Sequence, residues 1–273
     1  MDRPTARDLS QTPFTPTPGC CAPTPRRAAT VVLVRDGDWG LEVYAQHRVS
    51  SMPTFPSATV FPGGGVDPGD YLAPGFRAEV WQGPSAHQWG KDLGVDPADA
   101  VAIVTAAVRE LFEETGTLIA QHRSGELLHH AGRYHHQRVE LESKRRGFAQ
   151  FLQQQQLLLA SSRLHPFARW IGPPGAERQF DAFSFVVRAP AEQVPDAVSG
   201  ETATAGWYRP SELLADWEGG KIQLVLPTWS KLQVLSAVNS VAELWATLPE
   251  VDMEPIVDKP ECNSYFGRVI SDA

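Results

Sequence analysis

The segment 97–114 constrains the fold of this chain more than any other, because it predicts one long helix with two different faces. Apolar residues recur at steps of three and four, which is typical of a helix face buried in a core. An adjacent face carries three carboxylates at positions i, i+3 and i+4, which lie on one narrow strip of a helix. The apolar positions are Val101, Val104, Val108 and Leu111, the acidic positions are Glu110, Glu113 and Glu114, and Gly116 marks the helix end.

Three carboxylates on one strip repel one another, so they do not stabilise the helix unless a cation binds among them. Carboxylate oxygens suit Mg²⁺ and Mn²⁺, which accept oxygen ligands and keep several waters. A metal site held by Glu110, Glu113 and Glu114 is therefore one interpretation. A solvated acidic helix face is the other, and the helix alone leaves both open.

A glycine-dense segment at 61–70 is the second feature, and it follows an apolar strand predicted at 58–61. Glycines such as Gly63 and Gly64 let backbone N–H groups approach a phosphate closely. An ordinary tight turn is the alternative explanation for such a segment.

Together the glycine loop and the acidic helix resemble the signature of the Nudix hydrolases. The family pattern is Gly, five residues, Glu, seven residues, Arg-Glu, a bulky aliphatic residue, any residue, Glu-Glu, any residue, Gly and a bulky aliphatic residue. Gly64 matches the first glycine of this pattern. The second half matches at Arg109, Glu110, Leu111, Glu113, Glu114 and Gly116.

The chain departs from the family pattern in three ways. Asp70 stands where the family has its first Glu, and Thr117 replaces the closing aliphatic residue. The third departure is spacing, because Arg109 follows Gly64 by forty-five positions where the family has fourteen. The thirty-one extra residues form an insertion at about 71–101. Its tryptophans are expected to dock it to the domain, and its attachment to both motif halves places it at the rim of the site.

The resemblance implies an α/β fold, namely a Nudix-type α/β/α sandwich with a mixed sheet, the insertion and extra helices, over residues 28–248. Strands are predicted at 28–34 and 41–45 as a hairpin, while 118–164 is expected to be mainly helical and 227–248 to be a final helix. Residues 1–27 predict a disordered, proline-rich leader, and 249–273 a C-terminal tail.

Further site residues follow from the resemblance. Arg109 would orient a carboxylate, and Glu201 corresponds in position to an extra catalytic or metal-binding Glu that several family members carry. A solvated loop glutamate is the alternative for Glu201. Arg48 and Arg178, together with the glycine loop at Gly63 and Gly64, are candidate phosphate-binding groups, since the guanidinium fork suits phosphate oxygens. Each arginine alone is more typical of an ordinary surface residue.

The insertion and the segments 46–53 and 169–181 are similar to the acyl-coenzyme A diphosphatase branch of the family. That similarity implies a coenzyme A or acyl-coenzyme A substrate, cleaved to 3′,5′-ADP and a phosphopantetheine product with Mg²⁺ or Mn²⁺. A shorter coenzyme A motif, Gly-Glu-Val before Phe-Pro-Gly-Gly, is absent. Hydrolysis of ADP-ribose, dinucleotides or nucleoside triphosphates is one alternative, and a non-catalytic nucleotide-binding module is another.

The composition of the chain limits the classes of partner that it is expected to bind. A net charge of −8 argues against a nucleic-acid surface, which needs a basic face. No stretch approaches the roughly 20 apolar residues of a membrane span. Three cysteines cannot form a paired framework, which favours a reducing, cytoplasmic setting. A small-molecule substrate is therefore the expected partner, while monomer and homodimer both stay open.

Overall fold

A computed structural model of the chain describes residues 24–52, 55–172, 179–248 and 253–257. No helix in these ranges is both long enough and apolar enough to cross a bilayer. The strands are β1 (Arg26–Gly37), β2 (Gly40–Arg48), β3 (Ala58–Val60), β4 (Gly63–Gly65), β5 (Trp81–Gln82), β6 (Ala120–His122), β7 (Leu157–Ala160), β8 (His165–Ile171), β9 (Phe180–Arg188), β10 (Thr202–Tyr208), β11 (Gln223–Leu224) and β12 (Ile256–Val257). The helices are α1 (Pro74–Val80), α2 (Ala86–Leu93), α3 (Pro97–Thr115), α4 (His135–Glu142), α5 (Phe148–Gln154), α6 (Pro210–Glu218), α7 (Leu226–Leu235) and α8 (Val241–Thr247).

The larger of two sheets is mixed. Its strand order is β11-β3-β2-β1-β9-β8-β12, with β10 paired to β2 and β4 paired to β1. The predicted hairpin of β1 and β2 is antiparallel and closes at the pair Gly37–Gly40. In contrast, β1 and β9 run parallel over nine residue pairs. The smaller sheet has the order β5-β7-β6. This arrangement of helices and a mixed sheet confirms the predicted α/β class.

Strand β1 is buried on both faces, which explains its nearly continuous run of apolar residues. Successive side chains of a strand point to opposite faces of the sheet. Val31 and Leu33 belong to the core that contains the apolar face of α3. Val32 and Val34 belong to a second core, to which α6, α7 and α8 contribute leucines and a valine. The sheet therefore lies between two helical layers, as predicted.

The insertion is integrated into the core more deeply than the sequence suggested. It forms α1, β5 and α2, and it ends at residue 96 because α3 begins at Pro97. Trp89 is only 2% exposed, and its ring packs edge-on against Phe185 at 6.0 Å. Its indole Nε1 donates to the Ser161 hydroxyl at 3.3 Å. The insertion is thus part of the folded domain, not an excursion docked to its surface.

Three boundaries differ from the predictions. β1 begins at Arg26, so the predicted leader–domain border after residue 27 falls inside a strand. The stretch 118–164 is only partly helical, because its leucine-rich end forms β7 between β5 and β6. The predicted final helix is two helices, α7 and α8, with a break between Leu235 and Val241. Residues 1–23, 249–252 and 258–273 of the predicted leader and tail lie outside the described residues.

Candidate active site

A cleft of about 450 Å³ brings the two motif halves together. Strand β4 pairs with the start of β1, and α3 packs against β1, so the glycines and the acidic helix face lie side by side. This is the arrangement expected from the i, i+3, i+4 spacing of the carboxylates. The motif residues that line the cleft are Gly63, Gly64, Gly65, Arg109, Glu110, Glu113 and Glu114.

Gly64 is close to the first carboxylate of the helix. A Cβ atom built on Gly64 would lie 2.5 Å from both Cδ and Oε1 of Glu110. Real Cβ atoms do not come this close to another heavy atom, so any side chain at this position displaces the carboxylate. A Cβ atom on the adjacent Gly65 meets nothing within 4 Å. The need for glycine here therefore arises from Glu110, not from the turn alone.

We expect Gly64→Ala to lower kcat/KM about 100-fold for the hydrolysis that the sequence resemblance implies, because a displacement on the order of 1 Å at a reacting site costs that much. Gly65→Ala is the matched substitution and is expected to lose far less activity. Steady-state kinetics on both variants, after circular dichroism confirms folding, makes the comparison. Equal losses in the two variants would show that the loop, and not the carboxylate, is sensitive.

Glu114 is the most deeply placed of the three carboxylates. It is 9% exposed and accepts a hydrogen bond from the Gly63 backbone N–H at 3.2 Å. Burial raises the pKa of Glu114 well above its usual range, and the neighbouring Glu110 charge adds to this effect. No salt bridge to Glu114 is present among the residues that the structure describes. Its negative charge is therefore the least compensated of the three.

Arg109 connects the two motif halves. Its Nε and Nη2 donate to the two oxygens of Asp70, each at 2.9 Å, in a bidentate fork. Its Nη2 also donates to the Gly65 carbonyl at 2.9 Å. Burial alone would lower the pKa of Arg109, but the hydrogen bonds with Asp70 and the nearby carboxylates raise it. The guanidinium thus stays charged and holds the glycine loop against α3.

The remaining nitrogen of Arg109 contacts the other two carboxylates. Nη1 lies 2.8 Å from Glu110 Oε1 and 3.4 Å from Glu113 Oε2. Burial raises the pKa of Glu110, although the Arg109 charge opposes the shift. Burial likewise raises the pKa of Glu113, to about 7, against the same opposing charge. One guanidinium therefore does not fully compensate the acidic cluster.

Glu201 and Arg48 line the same cleft and form an ion pair, with 3.3 Å between Arg48 Nη2 and Glu201 Oε2. The Glu201 side chain is about half exposed, at 53%. The position of Glu201 just before β10 brings it to the site despite a separation of 87 residues (201 − 114) from Glu114. Arg178, the other predicted phosphate-binding residue, lies outside the described residues.

The donor set fits a divalent cation of the hard type. Burial and mutual repulsion raise the pKa values of the three crowded carboxyl groups, so their ionised forms are short of positive charge that a cation would supply. Oxygen donors suit Mg²⁺ and Mn²⁺. Within the described ranges, no three His, Cys, Asp or Glu side chains form a complete ligand set. Mg²⁺ does not require one, since it is usually held by one or two carboxylates plus waters and substrate phosphates.

Two features of the cleft could not be predicted from the local sequence. The motif identified Asp70, but not its bidentate contact with Arg109, which joins residues 39 positions apart. Lys231 of α7 also lines the cleft and is 5% exposed. Nothing in its helical neighbourhood distinguished it from a surface lysine. In addition, none of residues 71–101 lines the cleft, so the position of the insertion at its rim stays a prediction.

Similarity to known proteins is found among solved structures. No protein-family model and no curated protein matches the chain. A Nudix hydrolase from Alicyclobacillus acidocaldarius has a similar structure, with a TM-score of 0.70 and 24% sequence identity. The match covers 84% of this chain and 99% of that protein.

Two other solved structures match more weakly. An Ap4A hydrolase from C. elegans has a TM-score of 0.39 and 13% identity, covering 78% of this chain and 96% of that protein. The Nudix domain of NrtR from Shewanella oneidensis, solved with ADP-ribose, has a TM-score of 0.39 and 11% identity, covering 77% and 85%. These weak matches add nothing to the assignment, which rests on the first similarity: the chain has the fold of the Nudix hydrolases.

Proposed function

We propose that this protein is a metal-dependent pyrophosphohydrolase. Its substrate would be a nucleoside diphosphate linked to a second group, with coenzyme A or acyl-coenzyme A favoured. The products from coenzyme A would be 3′,5′-ADP and a phosphopantetheine fragment. The cysteine content of the chain supports a reducing, cytoplasmic setting for this activity.

The observation that carries the proposal is the convergence of Glu110, Glu113 and Glu114 with Gly63 and Gly64 in one cleft. A merely solvated acidic helix face would leave these side chains in open water. Instead, the cleft buries them and raises their pKa values. Burying charge costs free energy unless a counter-charge is supplied. A bound divalent ion would supply this counter-charge. A purely structural role for the cluster does not explain why three carboxylates are buried together.

The residues divide the work in the proposed reaction. Glu110, Glu113 and Glu114 would hold Mg²⁺ or Mn²⁺. When bound, such an ion neutralises the charge of the diphosphate and lowers the pKa of a coordinated water. Arg109 keeps Glu110 and Glu113 in place through its Nη1 contacts, and Asp70 keeps Arg109 in place. Positioning of this kind supplies much of the rate enhancement in reactions at phosphorus.

A carboxylate is also needed to orient or deprotonate the attacking water. Glu114 and Glu201 are the two candidates, because both line the cleft and neither accepts a hydrogen bond from Arg109 in the described residues. The water oxygen would attack one phosphorus atom, and the anhydride P–O bond to the other phosphate would break. Arg48, which lines the cleft and pairs with Glu201 at 3.3 Å, would contact a phosphate of the substrate.

Two alternative functions make different use of the same cleft. A hydrolase of ADP-ribose, dinucleotides or nucleoside triphosphates would share the diphosphate chemistry and differ only in the groups recognised on each side. A non-catalytic module would bind a nucleotide without turnover. The full set of three helix carboxylates favours catalysis over binding alone.

A substrate panel tests the proposal. The protein would be incubated with Mg²⁺ or Mn²⁺ at roughly millimolar concentration and with one compound at a time. The compounds are coenzyme A, acetyl-coenzyme A, ADP-ribose, NADH and ATP, and the products would be separated by chromatography. We expect 3′,5′-ADP from coenzyme A and from acetyl-coenzyme A, and a loss of at least about 100-fold in rate after chelation. Hydrolysis of only ADP-ribose, NADH or ATP would favour the first alternative. Nucleotide binding without hydrolysis of any compound would favour the second.

A further inference from the structure

Among the residues that the structure describes, four cationic side chains line the cleft, and three of them have acidic partners. Arg109 pairs with Asp70, Arg48 with Glu201, and Lys144 with Asp67 at 2.6 Å. The fourth is Lys231, which has no salt bridge in the part of the chain that the structure describes. Its Nζ donates one hydrogen bond, to the Pro227 carbonyl at 3.0 Å. An ammonium group has three donors, so this contact leaves two donors of Lys231 unused.

A lysine in this state is costly to the fold. Its side chain is 5% exposed, and burial lowers its pKa to about 7. Lysines are almost never fully buried unless they are paired with an acid. Among the described residues, the salt bridges of the cleft carboxylates of α3 go to Arg109, and none goes to Lys231. The missing counter-charge is therefore expected to come from a bound ligand.

The surroundings of Lys231 match an anion. Thr228 lies one turn earlier on the same helix face, is 5% exposed and lines the cleft. Val225 and Pro227, at the N-terminal end of α7, line it too. The N-cap position, Val225, provides no side-chain hydrogen bond to the first turn. The N-terminus of a helix carries partial positive charge and favours phosphate groups. The N-terminal end of α7, the Thr228 hydroxyl and the Lys231 ammonium group thus lie in one part of the cleft.

We propose that Lys231 binds a phosphomonoester of the substrate, separate from the diphosphate that is cleaved. This inference rests on the proposed pyrophosphohydrolase function. A phosphomonoester carries close to two negative charges at neutral pH and offers three acceptor oxygens. It would accept hydrogen bonds from the two unused donors of Lys231. Its negative charge would also replace the stabilisation by water that the ammonium group loses on burial. Lys231 would then be a specificity-determining residue, since it contacts a group that does not react.

The proposal selects among the candidate substrates by their chemistry. Coenzyme A carries a 3′-phosphomonoester in addition to its diphosphate, whereas dephospho-coenzyme A, ADP-ribose and NADH do not. The wild-type protein should therefore prefer coenzyme A to dephospho-coenzyme A. A charge-assisted hydrogen bond of this kind corresponds to a preference of about 10- to 100-fold.

The test compares kcat/KM for coenzyme A and dephospho-coenzyme A in the wild type, in Lys231→Met and in Lys231→Gln. Methionine keeps the apolar stem, and glutamine is a second neutral variant in case one does not fold. The expected result is a loss of about 10-fold or more for coenzyme A and little change for dephospho-coenzyme A. Lys221→Met is the matched control, because Lys221 is an exposed lysine paired with Asp216. It should leave the preference intact.

Binding measurements separate this proposal from the proposed catalysis. Calorimetric titration with 3′,5′-ADP and with 5′-AMP compares two ligands that differ by one phosphomonoester and require no turnover. Wild-type protein should bind 3′,5′-ADP more tightly, and Lys231→Met should remove the difference, even if no compound is hydrolysed. Equal losses for both ligands would place Lys231 on the shared phosphate, and no loss for either would make it structural. Both of these outcomes overturn the proposal.

Discussion

Glu114→Gln is expected to remove most turnover while leaving the fold intact. Glutamine is nearly isosteric with glutamate and its carbonyl can still accept the hydrogen bond from the Gly63 N–H. It lacks the negative charge that holds a divalent ion or takes a proton from water. Losing that contact should lower kcat on the order of 100-fold or more, because several kcal/mol of transition-state stabilisation disappear.

The measurement is kcat at saturating Mg²⁺, so that weakened metal affinity alone does not produce the loss. Glu218→Gln is the matched control, since Glu218 lies exposed at the end of α6 and does not line the cleft. The melting temperature should stay close to wild type in both variants. Hydrolysis by Glu114→Gln at the rate of the wild type, under saturating metal, would remove Glu114 from the reaction.

The parts of this site that could be predicted are those encoded by local periodicity. The steps of three and four in α3 predicted both its buried face and the carboxylate strip, because a helix converts such spacing directly into direction. The continuous apolar run of β1 likewise predicted a buried strand. In the sequence, only the family signature connects the glycine loop with the acidic helix, and the structure shows their close approach at Gly64 and Glu110.

Other features depend on tertiary contacts that have no local signature. Trp89 was expected to dock the insertion to the surface, yet it packs into the core beside Phe185. Its environment is set by residues almost 100 positions away, which an aromatic residue in a glycine- and proline-rich segment does not reveal. Lys231 is similar, because α7 presents it to a cleft formed by β3, β4 and α3. The burial of a lysine cannot be inferred from helical spacing alone.

The leucine-rich stretch at 157–160 shows a further limit. Its residues suit a helix or a strand, and periodicity cannot distinguish the two in a short apolar run. The outcome is decided by β5, which pairs parallel with β7, and by β6, which pairs antiparallel with it. Because β5 belongs to the insertion, the partner that selects the strand lies more than 70 positions upstream. Long-range pairing therefore overrides the local preference.

Asp70→Asn is expected to destabilise the fold strongly, because it breaks the fork that joins the two motif halves. Asp70 is 1% exposed. Its carboxylate accepts hydrogen bonds from Nε and Nη2 of Arg109 and from the Asp67 N–H, the last at 2.8 Å. An asparagine would present an NH₂ group where at least one of these donors points. Removing one partner of a buried ion pair costs about 3–5 kcal/mol. Nε and Nη2 of Arg109 would lose their carboxylate partner, while Nη1 keeps its contacts with Glu110 and Glu113.

Asp67→Asn provides a control from the same loop. Asp67 is more exposed, lies 4.0 Å from Arg109 and pairs with Lys144, whose side chain is largely exposed. Exposed ion pairs contribute about 0–1 kcal/mol, so this variant should be nearly as stable as the wild type. Thermal unfolding should therefore show a fall of about 10 °C for Asp70→Asn and of about 3 °C or less for Asp67→Asn.

The same pair of variants also separates stability from positioning. Arg109 holds Glu110 and Glu113 through Nη1, and Asp70 fixes the orientation of that guanidinium. Groups that orient metal-binding carboxylates typically affect activity by 10- to 100-fold, so kcat/KM of Asp70→Asn should fall about 10-fold even well below its melting temperature. Full activity in the folded Asp70→Asn protein would mean that the fork serves stability alone. A normal melting temperature would mean that Asp70 does not stabilise Arg109 at all, against the two 2.9 Å contacts that join them.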